Sequence, residues 1–366
     1  MSFPFFFPFL KGLVKPHLAP LTYFLFAVNV FVFMSTYDRF KVADHKMDVY
    51  LTDERFLSTQ GSAFGVLIRD EPKLFSKMFR QLEDAELFGD MEARKRLGSL
   101  AFRNHDFMIR ADSYDFHGDE IALKEWHTKF VELKRLQNQH PSFQWGVSEN
   151  HDTIVNWLTY QFAHSGFAHL FGNMLFLLIF GTFVELKLGS SFVILTYLGA
   201  GLLGVCSFSL LSGITTSPLV GASAAISGLI SLVAFGFWGK KLKYFYWFFP
   251  LRGYYGFVML PSWIVLMLYM LPDLAGYFEA VPELGSIAYT AHIGGATFGF
   301  LMAMLYRSGW LETEIEEGEE ENGVDAYLPE PIDPLALNAA ADIEPAQNSN
   351  LNERPRARSR DKNDAA

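Results

Sequence analysis

Six stretches of the chain are apolar for long enough to cross a bilayer, at about 18–36, 164–184, 188–212, 219–239, 253–272 and 285–306. A span needs ~20 such residues. Within each stretch the apolar positions run on without the strict alternation of a barrel strand. Lipid offers no water to unpaired backbone groups, so the pattern predicts helices. Between the first two runs the pattern changes. Residues 37–152 are polar overall but carry apolar positions at helical spacing: Leu74, Phe75, Met78, Phe79 and Leu82 after Pro72, then Leu123, Trp126, Phe130 and Leu133. These faces predict amphipathic helices that pack on one another. The expected fold is an all-α polytopic membrane protein, a six-helix bundle with a long helical insert between its first two helices. Its segments are an interfacial stretch at 1–17, the first span at 18–36, the extracytoplasmic insert at 37–152, five further helices over 153–306 and a tail at 307–366.

Composition agrees with a membrane chain: 50% of residues are hydrophobic and 16% aromatic, more than a soluble domain carries. The formal charge of −10 is local. From Leu311 onward there are 15 acidic and 5 basic residues, so this stretch accounts for the whole imbalance. With so little apolar surface it is expected to be disordered. Lys240, Lys241, Lys243 and Arg252 follow the fourth run, whereas Asp273, Glu279 and Glu283 lie between the fifth and sixth. The positive-inside rule then places both termini in the cytoplasm, and the insert and the entrance to the fourth helix outside. The opening "MSFPFFFPFLKGLVKPHLAP" has neither a basic n-region nor a cleavage site, so the first run is expected to remain as an anchor. No transit-peptide pattern precedes it, which points to a bacterial cytoplasmic membrane. The single Cys206 reads as a packing residue.

Ionisable groups inside lipid are costly, so those present mark function. The runs hold His164 and His169 in the second, His292 in the sixth and Glu185 at an inner end. No Asp or Glu lies deep in any run, so the two apposed carboxylates of an aspartyl protease are missing. A zinc site of the H-E-x-x-H kind needs Glu beside its first histidine, and "HSGFAH" has Ser165 there. No metal and no cofactor is expected. Serine and histidine remain. His169 and Asn173 are four apart, on one helical face, and both can donate hydrogen bonds. Gly295 and Gly299 follow His292 at the G-x-x-x-G spacing that permits close helix approach. If the sixth helix lies on the fourth, His292 is carried to Ser223, where imidazole can take the hydroxyl proton. Plain packing is the competing account, because Ser223, Ser227 and Ser231 recur at the small-residue spacing of helix interfaces.

In this order, "HSGFAHLFGNMLFLLIFG", "GASA" and "AHIGGATFG" resemble the rhomboid family of intramembrane serine proteases, and "LTYFLFAVNVFVF" is similar to its first span. The likeness covers about 18–36 and 153–306. It implies a Ser–His dyad in a water-filled cavity opening outward, with Ser223 as nucleophile and His292 as general base and then acid. It implies an oxyanion hole of His169, Asn173 and the Ser223 amide, Gly221 as the motif's opening glycine, and His164 as support for the nearby loop. The implied activity is endopeptidase cleavage of single-pass transmembrane proteins within the lipid bilayer, with no nucleic acid or metal as partner. Two features depart from the family pattern. Ala224 replaces the usual glycine after the serine, and the insert lacks a Trp-Arg pair, leaving Trp126 or Trp145 for contact with the bilayer. An inactive relative that binds membrane helices, or a transporter, stands as an alternative.

Overall fold

In the first run the helical signal continues past its apolar part. Residues 37–51 contain no Gly or Pro, and α1 spans Pro20–Leu51, fifteen residues beyond the expected end at 36. The description comes from a computed structural model. It covers the backbone of 3–8 and residues 15–148, 151–211, 217–249, 255–279 and 288–309. The tail from residue 310, with Arg252 and Glu283 of the expected orientation signal, lies outside the described residues.

After α1, Asp53 accepts hydrogen bonds from the amides of Arg55 and Phe56 and so starts α2 (Glu54–Asp70). The insert continues with α3 (Lys77–Leu87), α4 (Met91–Ala101), α5 (His105–Arg110), α6 (Glu120–Gln139) and α7 (Pro141–Trp145). Pro72 opens a short 3-10 turn rather than α3 itself, and Leu74 is exposed. The apolar faces pack on one another around Phe64, Phe79, Phe107, Trp126 and Phe130. Gln60 ties three of these helices together. Its amide donates to the Gly98 carbonyl at 2.6 Å and its oxygen accepts from Trp126 Nε1 at 3.2 Å. Trp126 is therefore a core residue of the insert, not a bilayer contact.

The insert ends on α1, where His140 Nε2 meets Asp44 Oδ1 at 3.2 Å and its ring packs on Phe40. Next come α8 (Ile154–Thr159), α9 (Phe167–Phe176) and α10 (Thr182–Leu188), the last two joined through a π-turn into one 22-residue apolar helix. This helix begins three residues after His164, so His164 sits in the preceding loop. The chain continues through α11 (Ser190–Leu211) and α12 (Ser223–Gly236).

Among the described residues, α1, Phe167–Leu188 and α11 are the helices long and apolar enough to span a membrane. The fourth run is shorter as a helix because Leu219–Ala222 is spent on an approach loop and residues 237–239 follow the helix end, leaving 14 residues in α12. The all-α expectation needs a larger correction. Strand β1 (Phe3–Pro8) pairs antiparallel with β2 (Lys241–Phe249), and β2 with β3 (Tyr255–Pro261). The expected interfacial segment thus begins as a strand, the basic loop is a strand, and the fifth run starts as a strand before α13 (Trp263–Glu279). A continuous apolar run does not distinguish a strand from a buried helix, and the aromatic residues here favour the sheet. The last helix is α14 (Tyr289–Arg307).

The main core lies between α1, Phe167–Leu188, α11, α12 and α14. Within it α14 lies directly on α12. A Cβ on Gly295 would strike the Ala224 carbonyl, and one on Gly299 the Gly228 carbonyl. Backbone thus meets backbone along two turns, as small residues allow.

Candidate active site

That approach sets His292 against the start of α12. Ser223 is the first residue of α12, His292 lies in the first turn of α14, and Ser223 Oγ and His292 Nε2 are 2.8 Å apart. Both residues are half-buried. The neighbouring serine is a useful contrast. Ser227 Oγ donates to the Ser223 carbonyl at 2.9 Å, the local back-bond expected of a packing serine. Ser223 instead makes a contact 69 residues away in sequence.

The loop before Ser223 turns sharply at Gly221, whose φ of +116° is unfavourable for any residue with a side chain. Its amide donates to the Tyr160 carbonyl at 2.9 Å. Space is restricted as well. A Cβ at Gly221 would lie 2.8 Å from His169 Nε2 and 3.3 Å from Asn173 Nδ2. The two donors of α9 therefore converge on the loop two residues before Ser223. Asn173 is 7% exposed, and its Nδ2 has no hydrogen-bond partner among the described residues. A buried, unspent donor is costly unless something occupies it during function. His169 Nδ1 is 3.1 Å from Ser165 Oγ, an interaction the sequence reading did not assign. His164 is buried, with Nδ1 3.3 Å from the Phe162 carbonyl and its ring 5.2 Å from that of His169.

Ala224 faces α11. A Cβ on Gly204 would come 2.7 Å from that of Ala224, so the methyl at 224 fills space that Gly204 leaves empty. Ala224 shares a small apolar cluster with Val147, Tyr160, Val205, Phe208, Leu219 and Ala291. Tyr160 was also missed at the sequence level. Its carbonyl holds Gly221 and its hydroxyl donates to the Gly201 carbonyl at 2.7 Å, roles that leave no pattern in the chain.

A family model described as the Rhomboid domain matches residues 151–309, which include all these groups except Val147. Residues 151–309 are thus a Rhomboid-domain match. The chain is also similar to "Rhomboid protein 1, mitochondrial" of Saccharomyces cerevisiae, 29% identical over 170 residues, covering 45% of this chain and 44% of the yeast protein. The chain thus aligns with less than half the length of that relative. The Rhomboid-domain match and the long apolar helices indicate a membrane protein. The relative's name is mitochondrial, which gives no support to the bacterial membrane expected from the sequence.

Proposed function

We propose that this chain is an intramembrane serine endopeptidase that cleaves transmembrane segments of other membrane proteins. The observation that carries the reading is the 2.8 Å contact between Ser223 Oγ and His292 Nε2. It lies within the reach a general base needs. The reading takes α1, Phe167–Leu188, α11, α12, α13 and α14 as the six membrane helices, with the dyad open to water from the outer side.

In the acylation step, Nε2 takes the hydroxyl proton as Oγ bonds to the substrate carbonyl carbon, and the carbonyl π pair moves onto oxygen. The resulting oxyanion needs donors. His169 and Asn173 supply them, together with the Ser223 amide at the N-terminus of α12. With Ser165 Oγ donating to Nδ1 of His169 across their 3.1 Å contact, the imidazole carries its proton on Nε2, toward Gly221. The tetrahedral adduct collapses, the C–N bond breaks, and imidazolium gives its proton to the leaving amine. Water then attacks the acyl-enzyme, transferring its proton to the same imidazole, and Oγ leaves with that proton. The substrate helix must unwind first, because a carbonyl held in a helical hydrogen bond is not open to attack.

The test is covalent. A fluorophosphonate probe is expected to label the purified wild-type protein in detergent and to leave Ser223→Ala and His292→Gln unlabelled. Labelling that persists in Ser223→Ala sinks the assignment.

A further inference from the structure

Gly221 fixes one end of the loop before the nucleophile, and the end of the insert holds the other. Val147 donates its amide to the Leu219 carbonyl at 3.1 Å, and the Leu219 amide donates to the Val147 carbonyl at 2.8 Å. This closed pair of antiparallel bonds lies four residues before Ser223. Val147 is fully buried, in the apolar cluster that includes Ala224 and Ala291, the residues next to Ser223 and His292. Gly146 presses on the same loop, since a Cβ there would lie 2.7 Å from both the Leu219 carbonyl and Val220 Cγ1.

The segment is itself anchored from behind. Asn156 Nδ2 donates to the carbonyls of Gln144 and Gly146, each at 3.0 Å, and Thr159 Oγ1 donates to that of Trp145 at 2.8 Å. Both donors lie on α8, just before Tyr160, whose carbonyl receives the Gly221 amide. α8 therefore grips the nucleophile loop twice, directly through Tyr160 and indirectly through the end of the insert.

We infer that Val147 is a positioning residue for the nucleophile: through Leu219 it holds the 219–222 loop, and with it Ser223, in line with His292. The inference rests on the peptidase reading above. It makes the insert part of the machinery that sets reactivity, acting through the backbone at its end. Loosening Val147 then slows the chemical step and leaves reagent binding unchanged.

The experiment measures fluorophosphonate inactivation against probe concentration, separating the maximal rate kinact from the half-saturating concentration KI. Val147→Pro deletes the amide donor while Gly146 already has the extended φ of −82° and ψ of 177° that precede a proline. Its kinact is expected to fall about tenfold, the scale of one lost hydrogen bond expressed in a barrier. KI stays unchanged, and Val147→Ile retains wild-type kinact. A wild-type kinact in Val147→Pro overturns the inference. If that variant does not fold, Gly146→Ala replaces it: its methyl would strike the Ser142 carbonyl and lie 2.7 Å from the Leu219 carbonyl, so it wedges the end of the insert away from the loop while every backbone donor is kept. A wild-type kinact there overturns the inference equally. Probe labelling separates the two readings. Wild-type protein that the fluorophosphonate does not label defeats the peptidase reading, whereas labelled wild type with an unchanged kinact in Val147→Pro defeats the positioning role alone.

Discussion

Glu185 joins the first helix to the rest of the bundle, and removing its carboxylate is expected to loosen that joint. The side chain is 5% exposed and accepts four hydrogen bonds: from the amides of Leu21 and Thr22 at 2.9 and 2.8 Å, from Thr22 Oγ1 at 2.6 Å and from Ser190 Oγ at 2.8 Å. The first turn of α1 explains why. Ala19, at its N-cap, has no side-chain acceptor to offer, and Pro20 has no amide to satisfy. Tyr23 donates to the Ala19 carbonyl. Leu21 and Thr22 are left, and Glu185 takes both, capping α1 from another helix and placing negative charge at its positive end.

In Glu185→Ala the hydroxyls of Thr22 and Ser190 can rotate toward other acceptors, but the two amides cannot. At ~1–3 kcal/mol for each buried donor left unpaired, the loss is about 4 kcal/mol. Glu185→Gln keeps one acceptor oxygen and turns an NH2 toward the remaining donors, so about half that loss is expected. Thermal unfolding in detergent, followed by tryptophan fluorescence, reads the difference. At ~2–4 °C per kcal/mol for a domain of this size, Ala lowers Tm by about 8–16 °C and Gln by roughly half as much. The Thr22→Val change should then cost less in the Glu185→Ala background than in wild type, because its acceptor is already gone. An Ala variant that unfolds with wild type, or a Gln variant less stable than Ala, refutes the capping argument.

Two further outcomes follow from the same geometry. Gly221→Ala places a methyl 2.7 Å from His169 Cε1 at a φ of +116°, so it should displace the oxyanion donors. Its kinact toward a fluorophosphonate is expected to fall ~100-fold, the scale of one lost oxyanion donor, and wild-type kinact would contradict the assigned donors. His140 reports on pH. Burial pushes its imidazole below the usual histidine range, outweighing the opposing pull of Asp44. Its Nδ1 accepts from the Ser142 amide, capping α7, and that site is lost on protonation. The unfolded chain therefore binds more protons below about pH 6.5, and stability declines as pH falls from there toward the lower folded value. Melting curves of wild type and His140→Gln should diverge above about pH 6.5 and converge in acid; parallel curves would argue against this linkage.

What the sequence made legible was local, or carried by residue type. The absence of carboxylates from the apolar runs and the spacing of His169 with Asn173 narrow the chemistry without any coordinates. The amphipathic faces of the insert likewise announce helices. What stayed hidden depends on partners far along the chain. β1 becomes a strand only by pairing with β2, some 240 residues later. A run of nine residues ending in "YFYWFF" satisfies a strand and a membrane helix equally well until that partner is known. Gly204 and Ala224 fit each other across α11 and α12, yet each is unremarkable in its own segment. Val147 acts through its backbone, which no residue code records.

On the peptidase reading, the residues from Leu219 to Ala224 explain how so plain a stretch holds a serine against a histidine. In the extended part successive residues face opposite sides, so neighbours can be tied to different elements. Leu219 is bonded to the insert through Val147, Gly221 to Tyr160, and Ser223 to His292. Ala222 is buried in the main core, and Ala224 fits against Gly204. Each tie comes from a different element, so no single displacement carries Ser223 away without straining the others. This also answers what the alanine at 224 does. Its methyl points into the contact with α11, away from the Ser223–His292 pair, and the volume it adds is offset by the side chain missing at 204. The departure from the family's glycine is thus absorbed in helix packing, and the proposed nucleophile keeps its place against His292.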